Sequence, residues 1–420
     1  MESEMKKSIL LLFLSVSLLG QAQQIRRCGA FEYLKNLETH DPGFALRRLQ
    51  KETDYREWTV NHPAGTSGSV ITIPVVFHLL YNDSSQYLDD AVIMSQLDVI
   101  NEDYRRMNAD TGQTPLAFRA VAADCEIEFC LAQRTPDDQP TSGIIHKFTP
   151  DSAFTNFDET KFNVYGGDDA WDATRYLNIW VAAFKNPNFL GIGTFPGGDP
   201  LYDGVVINYK ACGRIGSHLL ASYNKGRSLT HEIGHWLNLI HVWGDDGNSC
   251  SADDLVSDTP LQAGETFGCP TYPQTDNCSG TFPGVMFMNF LDYTDDACMN
   301  IFTQGQKSRM MAALNVDRAS ILTSNGCISV GIEENRLHDA ISVFPNPAHS
   351  QLFIKSNMPM PVNAQITLTS LPGEMSKLVQ PQTSALQPLT AIDISAMSAG
   401  VYVLRVQTRD GFAVYKVIKE

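Results

Sequence analysis

The sequence predicts a mixed α/β domain followed by a small all-β sandwich. Up to about residue 240, strand-like apolar runs alternate with helical patterns, which is the order expected of a mixed α/β domain. Beyond residue 339, short runs of alternating apolar and polar residues are separated by turn signals, and about 80 residues of such strands make a small sandwich. Between the two lies a loop-rich segment with four cysteines, where we expect little regular structure.

The N-terminus has the features of a secretory signal peptide. Lys6 and Lys7 precede an apolar run over residues 8–19, and small and polar residues follow up to Ala22. We expect cleavage near Ala22 and export of the remaining chain. The apolar run is too short to span a bilayer as a mature helix, and no other segment predicts a transmembrane anchor.

The composition is that of an acidic globular protein. The 420 residues are 43% hydrophobic and 19% charged, which leaves room for two or more domains. The net charge is −16 and no basic patch stands out, so we expect no nucleic-acid partner. Nine cysteines in an exported chain favour disulfides, and an odd number leaves at least one thiol unpaired, for which Cys28 is the candidate.

The elements before the histidine-rich stretch follow from periodicity. Residues 31–56 are charged and predict helix, and a strand begins at Val70. We interpret His78, within that strand, as a core or edge histidine and not as a metal ligand. The further predictions are an amphipathic helix over residues 89–107 and strands over residues 125–131, 176–183 and 204–209.

Three histidines and a glutamate stand within eleven residues and predict a metal site. Residues i and i+4 of a helix share a face, so His231 and His235 present two imidazoles to one metal, with Glu232 beside them to act on a metal-held water. His241 reaches the same metal only if the helix stops and the chain turns back. Asn238 tolerates the left-handed conformation that such a turn needs. Three protein ligands and one open position are typical of catalytic zinc.

The same stretch has two other interpretations. The first is an amphipathic core helix with satisfied histidines. The second is a structural zinc site closed by Cys or His, which would not need Glu232. The presence of that glutamate together with the third histidine favours the catalytic interpretation.

The segment beyond the histidines is rich in glycine, proline, asparagine, aspartate and serine. Loops of this kind need covalent staples, and four cysteines fall here. The pairing of the other cysteines stays open in the sequence, namely Cys125, Cys130, Cys212 and Cys327.

The C-terminal part begins after a linker over residues 329–338. The strands predicted beyond it cover residues 341–344, 351–354, 364–370, 401–408 and 412–419.

The histidine motif, with the segment at residues 288–293, resembles the pappalysin family of metzincin metallopeptidases, in particular its cytophagalysin-like bacterial branch. The resemblance extends from Cys28 to about Cys327. It implies a zinc-dependent endopeptidase in which Glu232 is the general base toward a water at the open zinc position. The family has a methionine at the position of Leu291, in the Met-turn beneath the metal, and leucine has a similar volume.

The resemblance also implies roles for residues outside the motif. Tyr293 stabilises the oxyanion of the tetrahedral intermediate. Cys28, within Arg-Arg-Cys-Gly, is the pro-segment thiol that occupies the open zinc position and keeps a zymogen latent. The disulfides implied join Cys250 to Cys278 and Cys269 to Cys298.

A calcium site is implied in the loop after the zinc helix. Asp254, Asp258 and Thr259 offer the oxygen ligands that Ca²⁺ prefers, although the same loop would also serve as a solvated surface. Asp295 and Asp296 are candidate residues of a specificity pocket, but the sequence supports no commitment to a basic-residue preference.

The C-terminal segment resembles the sorting domains of type IX secretion. The matching features are residues 343–347, residues 399–402 and the closing basic strand. They imply contact with the type IX machinery and a secreted or cell-surface location. The expected organisation is a signal peptide (1–22), a pro-segment (23–60), a catalytic domain (61–328), a linker (329–338) and a sorting domain (339–420).

We therefore expect a secreted, latent zinc endopeptidase acting on protein or peptide substrates. Asn238 and Leu291 stand where the family has glycine and methionine. These departures motivate an alternative hypothesis, in which the chain is a surface adhesin or matrix-binding protein on a weakened protease fold. A secreted structural zinc-binding protein is a third hypothesis.

Overall fold

A computed structural model of the chain describes residues 28–62, 69–245, 247, 249–280, 282–330, 340–357, 365–370, 376–379, 389–408 and 411–420. The predicted signal peptide and residues 331–338 of the predicted linker lie outside these ranges. The chain divides into two compact units, and the boundary follows Cys327.

The first unit is a mixed α/β domain. Its helices are α1 (Ala30–His40), α2 (Pro42–Asn61), α3 (Asp90–Tyr104), α4 (Leu116–Arg119), α5 (Arg227–Trp236) and α6 (Gln304–Val316). Its strands are β1 (Ile71–Tyr81), β2 (Ile127–Leu131), β3 (Ile144–Phe148), β4 (Leu177–Ala182), β5 (Gly191–Gly193) and β6 (Val205–Asn208).

The differences from the predicted elements have local causes. The helix predicted over residues 31–56 is two helices, because Pro42 cannot donate a backbone hydrogen bond and therefore starts a new helix at its first position. The sequence did not predict β3 or β5. β5 has only three residues, two of them glycine, and so carries no apolar alternation.

The sheet of this unit has the order β2-β1-β4-β6-β5, with β3 also beside β1. β1 runs parallel to β2, β3 and β4, and β4 runs parallel to β6. Residues 73–80 of β1 are all buried, as expected for a strand covered on both faces. β5 pairs antiparallel with β6 and forms one edge of the sheet.

Helix α5 packs against this edge strand, and all ten of its residues are buried. The close approach requires the two glycines of β5. A Cβ on Gly193 would overlap the carbonyl oxygen of Glu232, and a Cβ on Gly191 would lie 2.7 Å from the Cγ of Glu232. The edge of the sheet is thereby held directly over the histidine-bearing helix.

The first residue of α5 is anchored by a buried ion pair. Arg227 donates two hydrogen bonds to the carboxylate of Asp110, at 2.6 and 2.7 Å, and Thr230 one turn later donates to Asp103 at 2.8 Å. These contacts set the position of α5 relative to α3 and its following loop.

The described residues of the second unit form seven antiparallel strands. They are β7 (Ile341–Phe344), β8 (Gln351–Ser356), β9 (Gln365–Ser370), β10 (Ser376–Val379), β11 (Leu389–Asp393), β12 (Gly400–Thr408) and β13 (Gly411–Lys419). Two sheets, β10-β9-β12-β13 and β11-β8-β7, share one apolar core that includes Leu352, Ile366 and Leu404. The structure thus has the predicted all-β C-terminal fold and adds β10 and β11, which the sequence did not predict.

Candidate metal and active site

The three motif histidines converge on one point inside the first unit. The Nε2 atoms of His231, His235 and His241 lie 3.1–3.3 Å apart, and all three residues are buried. A tetrahedral zinc ion bonded to nitrogen at about 2.0–2.1 Å separates its ligand atoms by about 3.3 Å. The observed spacing therefore fits zinc.

The hydrogen bonds of the same rings support a metal site. Each Nδ1 faces an acceptor oxygen at 2.7–2.8 Å, so each Nδ1 carries the proton and each Nε2 lone pair points to the shared centre. The acceptors are the carbonyl of Phe290 for His231, the carbonyl of Leu239 for His235 and the carboxylate of Asp245 for His241. Burial, followed by the neighbouring His241, holds the pKa of His235 well below its usual range, which favours the neutral imidazole that binds metals.

The turn that returns the chain to the metal is made at Asn238. This residue has φ 67° and directly follows the helix cap, while the N–H of Leu239 donates to the carbonyl of Gly234 at 2.9 Å. The pattern is a Schellman turn with asparagine where glycine is usual. It places His241 beside the two histidines of α5.

Cys28 is the fourth residue at this centre. Its Sγ and the histidine ligand atoms all lie within 4.8 Å of one another. The thiol also donates to the Oε2 of Glu232 at 3.3 Å, and the N–H of Gly29 donates to the carbonyl of Gly191 at 3.0 Å. Burial, and then the Glu232 carboxylate, raise the pKa of the Cys28 thiol well above its usual value.

Tyr293 contacts both this cysteine and one of the three histidines. Its hydroxyl donates to the carbonyl oxygen of Cys28 at 3.2 Å, and its ring stands edge-on to His241 at 5.0 Å. Burial first, and then neighbouring acidic groups beginning with Cys28, raise the pKa of Tyr293, so the phenol remains a hydrogen-bond donor.

Leu291 lies beneath the zinc helix. It is fully buried, and a Cβ added to Gly234 of α5 would meet its Cδ2 at 3.0 Å. The N–H of Leu291 donates to the side-chain oxygen of Asn289 at 2.9 Å, which fixes the loop locally. Leucine therefore occupies the floor of the site in direct contact with α5.

Comparison with known proteins places this geometry in a family. The protein-family model of the M43 peptidases, which carries the description pregnancy-associated plasma protein-A, matches residues 163–315. An extracellular metalloprotease of Verticillium alfalfae is 32% identical over 253 residues, which are 58% of this chain and 77% of that protein. An extracellular metalloprotease of Arthroderma otae is 30% identical over 255 residues, which are 59% of this chain and 80% of that protein.

Solved structures of metallopeptidases support the same family. Mature mirolysin of Tannerella forsythia in complex with a cleaved peptide is 49% identical, with a TM-score of 0.59, over 61% of this chain and 97% of that one. A promirolysin mutant of the same organism is 44% identical, with a TM-score of 0.63, over 71% of this chain and 97% of that one. The chain belongs to the pappalysin family of metallopeptidases. This pappalysin is a zinc metallopeptidase with a metzincin fold.

The C-terminal unit indicates where this pappalysin is located. Residues 342–420 match a secretion system C-terminal sorting domain. Together with the extracellular relatives, this match supports a secreted or cell-surface location. Among the described helices, none combines the length and the apolar character that crossing a bilayer requires.

The loop after the zinc helix of this pappalysin contains a buried aspartate, Asp254, and a half-buried one, Asp258. Asp254 accepts from the hydroxyl of Thr259 at 2.7 Å through Oδ1, and Asp258 accepts from the N–H of Gly305 at 2.9 Å through Oδ2. The other carboxylate oxygen of each is buried and has no hydrogen-bond partner among the described residues. Burial raises the pKa of Asp254 to about 7.

Three disulfides stabilise the loop-rich parts of the pappalysin. Two join Cys250 to Cys278 and Cys269 to Cys298, the pairs implied by the resemblance, and the third joins Cys130 to Cys327. Cys28, Cys125 and Cys212 are free and buried.

Other candidates from the sequence have structural roles. His78 is buried between the carboxylate of Asp168, at 2.7 Å, and the side-chain oxygen of Asn178, at 3.1 Å, and lies outside the histidine cluster. Asp296 is buried and accepts from the N–H groups of Lys225 and Arg227. It supports the start of α5.

Sequence reasoning overlooked two residues beside the third histidine. Trp243 stacks on the His241 ring at 4.3 Å with an interplanar angle of 4°, and Asp245 binds the Nδ1 of that ring. For Asp245, the sequence did contain a signal. An aspartate four residues after a ligand histidine is close enough to bind the ring of that histidine.

Proposed function

We propose that this metallopeptidase is made as a latent zymogen and, after loss of its pro-segment, acts as an endopeptidase with Glu232 as general base. The observation that carries the proposal is the position of the Cys28 sulfur among three histidines and beside Glu232. We assign the pro-segment to residues 23–60 and the catalytic domain to residues 61–328.

Latency follows from two contacts of Cys28 and its neighbour. The sulfur lies among the histidine ligand atoms, where it would take the place of the attacking water on a bound zinc ion, and Gly29 hydrogen-bonds to the backbone of the edge strand β5, where an extended substrate would bind. The match to promirolysin supports this proposal, because it covers 71% of the chain, against 61% for the mature form.

Catalysis is assigned to the residues that remain once Cys28 has left. His231, His235 and His241 would hold zinc, which supplies Lewis acidity to a water and to the peptide carbonyl. Glu232, buried on α5, takes the proton of the attacking water and delivers it to the leaving amine. The backbone of β5 orients the substrate as an antiparallel strand.

Tyr293 is assigned to the developing oxyanion. In the structure its hydroxyl already donates to a peptide carbonyl, that of Cys28, next to the histidines. The same hydroxyl can donate to a substrate carbonyl at this location, where a preorganised donor stabilises negative charge as it forms.

The decisive experiment replaces Glu232 with alanine. Because Glu232 is not a ligand, the variant should retain zinc, and because it is the base, casein or gelatin hydrolysis should be lost. Both are measured on activated protein, by metal analysis and by peptide release. Glu265→Ala, which removes an exposed acidic side chain from the pocket that Asp245 and Tyr293 also line, should leave both unchanged.

Near-wild-type hydrolysis by Glu232→Ala would overturn the assignment. An activated wild-type protein that binds zinc but releases no peptides, with or without a chelator, would instead support the adhesin or structural-zinc hypotheses. Mass spectrometry of a cleaved peptide library would then define the substrate preference of an active enzyme.

We also propose Ca²⁺ in the loop with Asp254, Asp258 and Thr259. The support is the pair of buried, unpartnered carboxylate oxygens, since buried anionic oxygens need a cation or a donor. Calcium should therefore raise the thermal midpoint, and Asp254→Asn should abolish that increase. A wild-type midpoint that is the same in calcium and in a calcium chelator would contradict the site.

For export, we propose that the type IX machinery reads the C-terminal unit. The support is the sorting-domain match over residues 342–420. Its closing strand β13 is paired along its whole length with β12, so the unit offers a folded surface for recognition.

A further inference from the structure

We propose that Asp245 is a positioning residue that fixes His241 for zinc and strengthens its bond to the metal. The inference rests on the proposed function, because it assumes that the three histidines hold zinc. It concerns a residue four positions beyond the last ligand, outside the zinc motif itself.

His241 needs an external partner because it lies outside a helix. His231 and His235 are carried by α5, whose backbone sets the direction of both side chains. His241 follows the Schellman turn, and no regular element holds its ring. Its orientation therefore depends on side chains that contact it.

Asp245 provides the directional contact. Its Oδ1 lies 2.7 Å from the Nδ1 of His241, and the two side chains are only 8% and 1% exposed. Trp243 stacks on one face of the same ring, and Tyr293 stands edge-on to it. The ring is thus fixed in its plane by the carboxylate and across its plane by the aromatic side chains.

The backbone is shaped to return this carboxylate to the histidine. The N–H of Gly244 donates to the carbonyl of His241 at 2.9 Å, and Gly244 and Asp245 both have positive φ, 71° and 57°. Among residues other than glycine, aspartate is one of the few that adopt the left-handed conformation, and two left-handed residues in succession reverse the chain sharply. With this backbone conformation, the Asp245 carboxylate reaches the Nδ1 of His241, four residues earlier.

The chemistry of this partner differs from that of the other two. His231 and His235 donate to backbone carbonyls, whereas His241 donates to a carboxylate. A carboxylate partner fixes the tautomer and also raises the basicity of the ligating nitrogen, which strengthens its bond to the metal. Asp245 should therefore contribute to zinc affinity through charge as well as through position.

The test measures zinc affinity of the full chain by competition with a chromogenic chelator. Asp245→Ala should weaken zinc binding by about 10–100-fold, and Asp245→Asn, which keeps an acceptor but loses the charge, should fall between it and the wild type. Asparagine also tolerates the left-handed backbone, so the second variant decides the question if the alanine variant fails to fold. Glu265→Ala, from the same pocket, should match the wild type.

Two further readouts separate positioning from mere structural support. The visible spectrum of the cobalt-substituted protein should shift in both Asp245 variants, while the thermal midpoint of the metal-free protein should change little. Zinc affinity of Asp245→Asn within twofold of the wild type would overturn the proposal. Failure of the wild-type chain to bind zinc would instead overturn the proposed function.

Discussion

At the level of single residues, the hydroxyl of Tyr293 takes part in both the proposed latency and the proposed catalysis. It donates to the carbonyl of Cys28 and stands against His241, so one donor serves a pro-segment carbonyl in the proposed zymogen and a substrate carbonyl in the proposed enzyme. The two roles need the same geometry, a peptide carbonyl beside the metal.

Replacing Tyr293 with phenylalanine should lower kcat by about 100-fold, because one oxyanion donor is lost, with little change in KM. Steady-state kinetics on activated protein measure both values. Tyr165→Phe, at a tyrosine that is 58% exposed, is the matched control. A Tyr293→Phe enzyme that loses affinity but not turnover would assign the hydroxyl to substrate binding.

The two departures from the family motif are also explained at this scale. Asn238 adopts φ 67° and completes the turn that glycine usually makes. Its side chain, which glycine would lack, donates to Glu52 of α2 at 3.2 Å. Leu291 fills the floor beneath Gly234. Both residues are accommodated without displacing a histidine.

Among the elements, α2, which lies in the proposed pro-segment, makes the second contact that would hold the proposed zymogen together. Glu52 forms a two-pronged ion pair with Arg309 of α6, at 2.8 and 2.6 Å, and Arg309 also donates to the carbonyl of Asn238 at 2.7 Å. Nearby, Tyr55 packs on Ala312 and Ala313. The proposed pro-segment therefore contacts the turn of the zinc motif as well as the metal centre.

Glu52→Ala should weaken the attachment of α2 by roughly 2 kcal/mol, because Arg309 loses its partner in a mostly buried position. Faster hydrogen exchange in α2 and faster maturation measure this effect. Glu57→Ala, on an exposed position of the same helix, should change neither. Equal exchange rates in the Glu52 and Glu57 variants would show that the ion pair does not hold the helix.

The same ion pair predicts how the attachment depends on pH. Burial raises the pKa of Glu52, but the hydrogen bonds and charge of Arg309 outweigh it and hold that pKa below its usual range. A depressed carboxyl pKa stabilises the attached form above the free value of about 4.3, and this contribution is lost as the pH falls through the bound value. The Glu52 contribution should therefore be constant at neutral pH and disappear only below about pH 4.

The whole molecule is built from two units with separate apolar cores. The metal centre and all three disulfides belong to the first unit, and the sorting-domain match belongs to the second. Chemistry and export are therefore assigned to different parts of the chain.

A chain that ends after Cys327 should retain zinc binding and, once activated, peptidase activity, because the first unit keeps its own core and its crosslink to Cys130. In the native host, the shortened chain should fail to reach the medium or the cell surface. Cell fractionation with an antibody measures its location, and zinc content measures its fold. Normal export of the shortened chain would contradict the sorting role.

Much of the fold was predictable because its signals are local. The apolar run of β1, the periodicity of α3 and the alternation of β8, β9, β12 and β13 all lie within short windows of sequence. β5 and β10 were missed because they are short and lack alternation. Their strand conformation comes from pairing with the neighbouring strands β6 and β9, which a single-strand pattern does not show.

By itself, the sequence determined the metal-binding helix, the turn after it and the class of reaction, since ligand spacing and turn chemistry are encoded within eleven consecutive residues. Only the tertiary structure showed that the Cys28 sulfur contacts that centre, that Glu52 contacts the turn through Arg309 and that Asp245 binds the ring of His241. The first two join residues more than 200 positions apart, and the third depends on a left-handed backbone. Contacts between such distant residues are decided by packing of the whole domain, which no short window of sequence records.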